Sequence, residues 1–143
     1  QMDSHILIDY GCKYNGYCSD TTRTYPSTEK QQEIFEIVLE AHDKAIEAIK
    51  PGIDGSEIDA VARDIITDYG YGDKFIHTTG HSLGLDIHEK PTLSPNDHTI
   101  LENNMVVTVE PGIYLEGDFG VRIEDTILVD NKGKIIGNLP QKL

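Results

Sequence analysis

The segment Val121–Val129 reads VRIEDTILV, and it constrains the fold more than any other stretch of the chain. Val, Ile, Thr and Leu give it strong β character, yet Arg122, Glu124 and Asp125 interrupt its centre. Side chains alternate along a strand, so Arg122, Glu124 and Thr126 share one face while Val121, Ile123 and Ile127 share the other. A carboxylate carried into a sheet interior needs a cation beside it, either a guanidinium or a metal ion. Taken locally, a buried Arg122–Glu124 pair and a metal site are equally good readings.

Other carboxylates stand in the same predicament. Asp9 follows Ile6, Leu7 and Ile8, and Glu110 ends the apolar run MVVTV. The N-terminal piece from Ile6 to Tyr25 carries Asn15-Gly16, the signature of a two-residue type I′ turn, and reads as an antiparallel hairpin. In that register Cys12 faces Ser19, Lys13 faces Cys18 and Gly11 faces Asp20. Asp9 is then a diagonal neighbour of Asp20, roughly 7–8 Å away at the backbone. That distance lets both converge on one ion or on a pair about 3.5–4 Å apart, although two solvent-facing aspartates on an edge strand satisfy the same pattern. The two cysteines fall on different sides of the hairpin, so free thiols and a cytoplasmic location are expected.

The rest of the chain fits one α+β domain. A helix is announced by Pro26-Ser27-Thr28, with Thr28 and Gln31 as a capping box; Ile34, Ile37, Val38, Ala41, Ala45, Ala48 and Ile49 form its stripe, and Pro51-Gly52 ends it. A second helix is predicted from Ser56, with Asp59 as its box partner, to a stop at Gly70. Short strands follow at 75–80, 105–111, 112–115, 120–130 and 134–136. The apolar runs are too short for a membrane span. The net charge of −13 and the lack of a basic patch argue against nucleic acid and anionic membranes as partners.

HTTGHSLGLDIHE (His77 to Glu89) gathers His77, His81 and His88 around Gly80 and Gly84. Gly80 and the β-branched Thr78 and Thr79 argue against a helical His77/His81 pair and for strand or loop. His5, His42 and His98 read as ordinary surface residues, His42 on the polar side of the first helix. Asp9, Asp20, Glu110 and Glu124 cannot share one cavity with His81 without compensating charge. One arginine is too little, and two divalent ions suffice.

The segments IDYGCKYNGYCSDTTRT, GHSLGLDIHE, VVTVEPGIY and GVRIEDT resemble, in order and spacing, the signature blocks of the pita-bread metallopeptidases. The resemblance spans nearly the whole chain. It implies a pita-bread fold with a mostly antiparallel curved sheet under two helices. By the same resemblance Asp9 chelates one metal, Asp20 and Glu124 bridge the pair, and His81 with Glu110 holds the other. His77 and His88 match histidines that contact substrate and stabilise the transition state; Tyr114 and Arg122 match a supporting shell; Glu110 accepts the proton. Glu124 follows Glu110 by 14 positions and Arg122 precedes Glu124 by two, as in the proline-cleaving branch rather than the methionine aminopeptidases.

The expected reaction is hydrolysis of the bond between an N-terminal residue and proline by a hydroxide held between two metals. Substrates would be Xaa-Pro dipeptides or longer peptides with proline second. A largely oxygen donor set with one imidazole favours Mn²⁺, with Co²⁺, Fe²⁺ or Zn²⁺ as alternatives. The relatives suggest a homodimer. Ser82 stands where the family usually has Gly, a small change. The family's first half-domain and N-terminal domain have no counterpart here. Residues 1–143 are therefore expected to be the C-terminal part of a catalytic domain, inactive in isolation for want of the full cleft. A non-catalytic binding module on this fold, or a structural calcium site, are the competing readings.

Overall fold

The computed structural model describes residues 5–137, 139 and 140. Asn15 and Gly16 both have positive φ, 50° and 90°, as a type I′ turn demands. Around this turn β1 (Ile6–Tyr10), β2 (Lys13–Tyr14), β3 (Tyr17–Cys18) and β4 (Thr21–Tyr25) form the expected hairpin in one continuous register. Asp9 pairs with Thr22 and Lys13 with Cys18, while Cys12 and Cys18 stay free thiols. The ladder is interrupted at Gly11, where a Cβ would stand 2.0 Å from the carbonyl oxygen of Ser19, a closeness only glycine permits. The strand β1 is less buried than its composition suggests: Ile6 and Ile8 are 54% and 44% exposed.

Helix α1 (Glu29–Ala48) is capped by Thr28, whose side chain accepts from Gln31 N. The reciprocal half of the expected box is absent, because the Gln31 carboxamide oxygen instead takes the Ser27 N–H and hydroxyl. Helix α2 (Gly55–Asp68) starts earlier than predicted. Its cap is Asp54, paired with Glu57, and not Ser56 with Asp59. Asp54 wins because its carboxylate accepts from both the Ser56 N–H and hydroxyl. Asp59 is thereby free to turn inward, where it is 1% exposed. Gly70, at a φ of 86°, ends the turn after α2.

The C-terminal half builds β5 (Gly80–Ser82), β6 (Glu89–Leu93), β7 (Val106–Val109), β8 (Gly112–Leu115), β9 (Phe119–Arg122), β10 (Asp125–Val129) and β11 (Gly133–Ile135). Five of these strands form a sheet in the order β11-β10-β7-β5-β6, and β8 pairs with β9; all pairings are antiparallel. Three expectations are corrected. The stretch 75–79 is irregular and the strand begins only at Gly80; β6 was not foreseen; and the single strand expected at 120–130 is two. The last has a clear cause. At Ile123–Glu124 the chain leaves β8 and crosses to β7, and Glu124 forms a bridge to Thr22 of the hairpin on the way.

The helices cover one side of these sheets. Ile34, Val38 and Ala41 of α1 and Ile58, Ala62 and Ile66 of α2 join Val107, Val109, Val121, Ile123 and Ile127 in one buried core. His42 is a further correction, being 0% exposed. Its Nε2 lies 3.3 Å from Asp125, which in turn pairs with the buried Arg23 at 2.6 Å. Among the described residues no helix is long and apolar enough to cross a membrane.

Candidate metal centre

Three elements that lie far apart in sequence deliver carboxylates to one cavity of about 620 Å³. The hairpin brings Asp9 and Asp20, the turn after β7 brings Glu110, and the joint between β9 and β10 brings Glu124. His81 enters from β5 and His88 from the loop beyond it. The alternation read in VRIEDTILV explains the last strand: Val121 and Ile123 go to the core, leaving Arg122 and Glu124 to face away from it.

One ligand atom from each of Asp20, His81 and Glu124 lies within 4.8 Å of the others. His81 Nε2 stands 3.2 Å from Glu110 and 3.7 Å from Asp20. The other ring nitrogen, Nδ1, donates to the Ser82 carbonyl, which orients the ring so that Nε2 points into the cavity. Asp9 stands somewhat apart, half exposed and paired with the Arg122 guanidinium. Ser82, in place of the expected glycine, sends its hydroxyl to the Val106 carbonyl and away from the cavity.

The electrostatics are those of a site deficient in positive charge. Burial, reinforced by Glu110, Asp20 and Asp9, pushes the Glu124 carboxyl up to about 8 even though the Thr22 hydroxyl opposes this. Asp20 is raised by burial and by Asp9 and Glu110. Burial also weighs on Glu110, but its hydrogen bond to His81 prevails and holds it below the usual carboxylate range. On His81 burial is overcome in the same way, by Glu110 and Asp20, so its pKa rises. Ionising Glu124 costs on the order of 5 kcal/mol, given the difference between 4.5 and about 8. Oxygen donors at this density, with one oriented imidazole, are the donor set of a divalent-cation site.

The Arg122–Glu124 ion pair considered from sequence is not formed. Arg122 instead joins Asp9 and, through Nη1, the Tyr114 oxygen at 3.0 Å. Tyr114 donates to His77 Nε2 at 2.8 Å, because His77 Nδ1 is committed to the Thr78 carbonyl. Burial lowers the His77 pKa and keeps it in the neutral form this requires. His77, Tyr114 and Arg122 thus make a chain ending on Asp9 and do not line the cavity, whereas His88 does, with its ring 4.6 Å from that of His81. Thr22 and Thr108, missed from sequence, hold Glu124 and Glu110 by hydrogen bonds of 2.7 and 3.0 Å. Only the alternation Thr22-Arg23-Thr24 hinted at the first.

The family model described as metallopeptidase family M24 matches residues 1–131. The Xaa-Pro dipeptidase of Pyrococcus furiosus is 54% identical over 131 residues, covering 90% of this chain and 38% of that protein. Of solved structures, the prolidase from Pyrococcus furiosus is similar with a TM-score of 0.94 at 51% identity, covering 96% of this chain and 42% of that one. The X-Pro aminopeptidase from Thermotoga maritima gives a TM-score of 0.94 at 42% identity, over 99% of this chain and 41% of that one. The chain spans about two fifths of the length of these relatives.

Proposed function

The chain belongs to metallopeptidase family M24, and from that premise we propose that it carries the metal centre of a peptidase that cleaves the bond between an N-terminal residue and proline. The support is the convergence of Asp9, Asp20, His81, Glu110 and Glu124 on one cavity, in a chain about half identical to Xaa-Pro dipeptidases. Because the relatives are longer, hydrolysis is proposed for a polypeptide carrying this chain at their full length.

Asp9, Asp20, His81, Glu110 and Glu124 would hold two divalent ions, Mn²⁺ before Co²⁺, Fe²⁺ or Zn²⁺. When bound, such a pair lowers the pKa of water and polarises the scissile carbonyl. Glu110 is ionised at neutral pH, so it accepts the proton released on attack. His88, on the exposed rim beside His81, donates to the carbonyl oxygen as negative charge develops there. Arg122 restrains Asp9, and Tyr114 restrains the His77 ring, to which the family resemblance assigns contact with substrate. Dipeptides and longer peptides with proline second both fit this chemistry.

The test is incubation with Ala-Pro and with a longer peptide having proline second, with and without Mn²⁺. Metal-dependent release of the N-terminal residue is expected. A full-length polypeptide carrying this chain that binds Mn²⁺ and cleaves neither would favour a non-catalytic module.

A further inference from the structure

Between a short 3-10 turn at Gly72–Lys74 and β5, residues 75–79 form neither helix nor strand, yet this segment carries His77. Irregular backbone is a poor platform for a side chain that must be placed to within a fraction of an ångström. Here it is held from outside, by two residues one turn apart on α2.

Arg63 makes a two-pronged contact with Asp59, Nε to Oδ2 at 2.8 Å and Nη2 to Oδ1 at 2.9 Å. Its remaining donors go to the loop, Nη1 to the Phe75 carbonyl at 3.0 Å and Nη2 to the His77 carbonyl at 2.9 Å. Asp59 Oδ1 then accepts the Thr79 N–H at 3.1 Å and the Thr79 hydroxyl at 2.9 Å. The guanidinium also lies 4.3 Å from the Phe75 ring centroid, and that ring meets His77 edge-on at 5.1 Å. Four hydrogen bonds therefore grip the backbone and hydroxyl groups on both sides of His77, while its ring is wedged between Phe75 and Tyr114. An ordinary surface i,i+4 pair needs none of these contacts. Asp59, in contrast, is 1% exposed.

We infer that Asp59 and Arg63 are positioning residues that set the placement of the His77 imidazole by clamping the loop that carries it. This rests on the peptidase reading for its catalytic consequence, though not for its structural one. His81 is placed separately, by its own N–H to Thr108 and by β5 pairing. The Thr79 backbone is also tied to the sheet, its N–H to the Leu93 carbonyl at 2.9 Å and its carbonyl to the Glu110 N–H at 2.7 Å, so the Arg63 bonds to the Phe75 and His77 carbonyls are the part of the clamp that acts on His77 without touching a metal ligand.

The test uses Arg63→Met and Thr79→Val, each alone and combined with His77→Ala, with Thr79→Ser as the conservative variant. In metal-free protein, amides of residues 75–79 should exchange about tenfold faster in both single variants, and the His77 ring nitrogen shifts, which report the bond to Tyr114, should move. Mn²⁺ affinity should stay within about threefold, while kcat falls about tenfold or more, as expected for lost outer-shell support. These losses should vanish in the His77→Ala background, and Thr79→Ser should behave as wild type. Unchanged exchange and ring shifts, or losses that multiply independently of His77→Ala, would overturn the inference. If Arg63→Met fails to fold, Thr79→Val decides. The kinetic readouts use a polypeptide that carries this chain at the relatives' full length; if that polypeptide shows no Xaa-Pro hydrolysis, the peptidase reading fails and the exchange and ring shifts alone decide the clamp.

Discussion

The Thr22 hydroxyl donates to Glu124 Oε2 at 2.7 Å across 102 positions of sequence, and both residues are almost wholly buried. This bond joins the hairpin to the joint between β9 and β10, and it is what partly offsets the burial of Glu124. Arg122 Nε approaches the same hydroxyl at 3.2 Å, so the hydroxyl is donor to one neighbour and acceptor from the other.

Thr22→Val keeps the shape and removes the hydroxyl. Mn²⁺ affinity, measured calorimetrically, should fall about tenfold, and Thr22→Ser should restore it. Unaltered affinity in Thr22→Val would show that the hydroxyl does not orient Glu124.

Metal-free protein should lose stability as pH rises from about 7 to 8. Glu124, raised from 4.5 to about 8, binds more protons folded than unfolded across this window, so its contribution is present at low pH and lost as pH climbs through the folded value. The raised His81 and His42 act with the same sign above 6.5. The lowered carboxylates Glu110 and Asp125 are ionised in both states there and contribute no slope, and the lowered His77 has largely finished titrating. Urea unfolding at several pH values reads this directly. Glu124→Gln should flatten the slope, and a slope of opposite sign would contradict the assignment.

Breaking the Arg23–Asp125–His42 network should be costly. Asp125 is 2% exposed and takes Arg23 at 2.6 Å, while Arg23 also donates to the carbonyls of Thr22 and Glu124. Asp125→Ala leaves a buried guanidinium without its counter-charge, and about 3–5 kcal/mol of unfolding free energy should be lost. A loss under about 1 kcal/mol in urea titration would mean that backbone carbonyls alone satisfy Arg23.

Much of this architecture is legible in the chain itself, and the exceptions have physical causes. The hairpin register follows from Asn15-Gly16 because a two-residue turn allows one pairing. The carboxylates announce themselves because charge inside β-branched runs has few explanations. In contrast, β6 reads EKPTL, whose charges and Pro91 look unlike a strand, yet it is the sheet's edge, where proline is tolerated. His42 sits on the face of α1 that reads as polar, and its burial is supported by Asp125, a partner 83 positions away that leaves no local pattern, as well as by its neighbour Asp43. SEID matches a capping box with Asp59 as the partner of Ser56, while the overlapping box from Asp54 to Glu57 is the one formed, and Asp59 serves elsewhere. Its bond to Thr79 spans 20 positions and leaves no local pattern.

The most direct test of the metal centre is anomalous diffraction at the manganese edge from crystals grown with Mn²⁺, alongside the same crystals of Glu124→Gln. Two peaks about 3.5–4 Å apart are expected, ligated by Asp9, Asp20, His81, Glu110 and Glu124, with at least one lost in the variant. A single ion, calcium in its place, or peaks away from these side chains would contradict it.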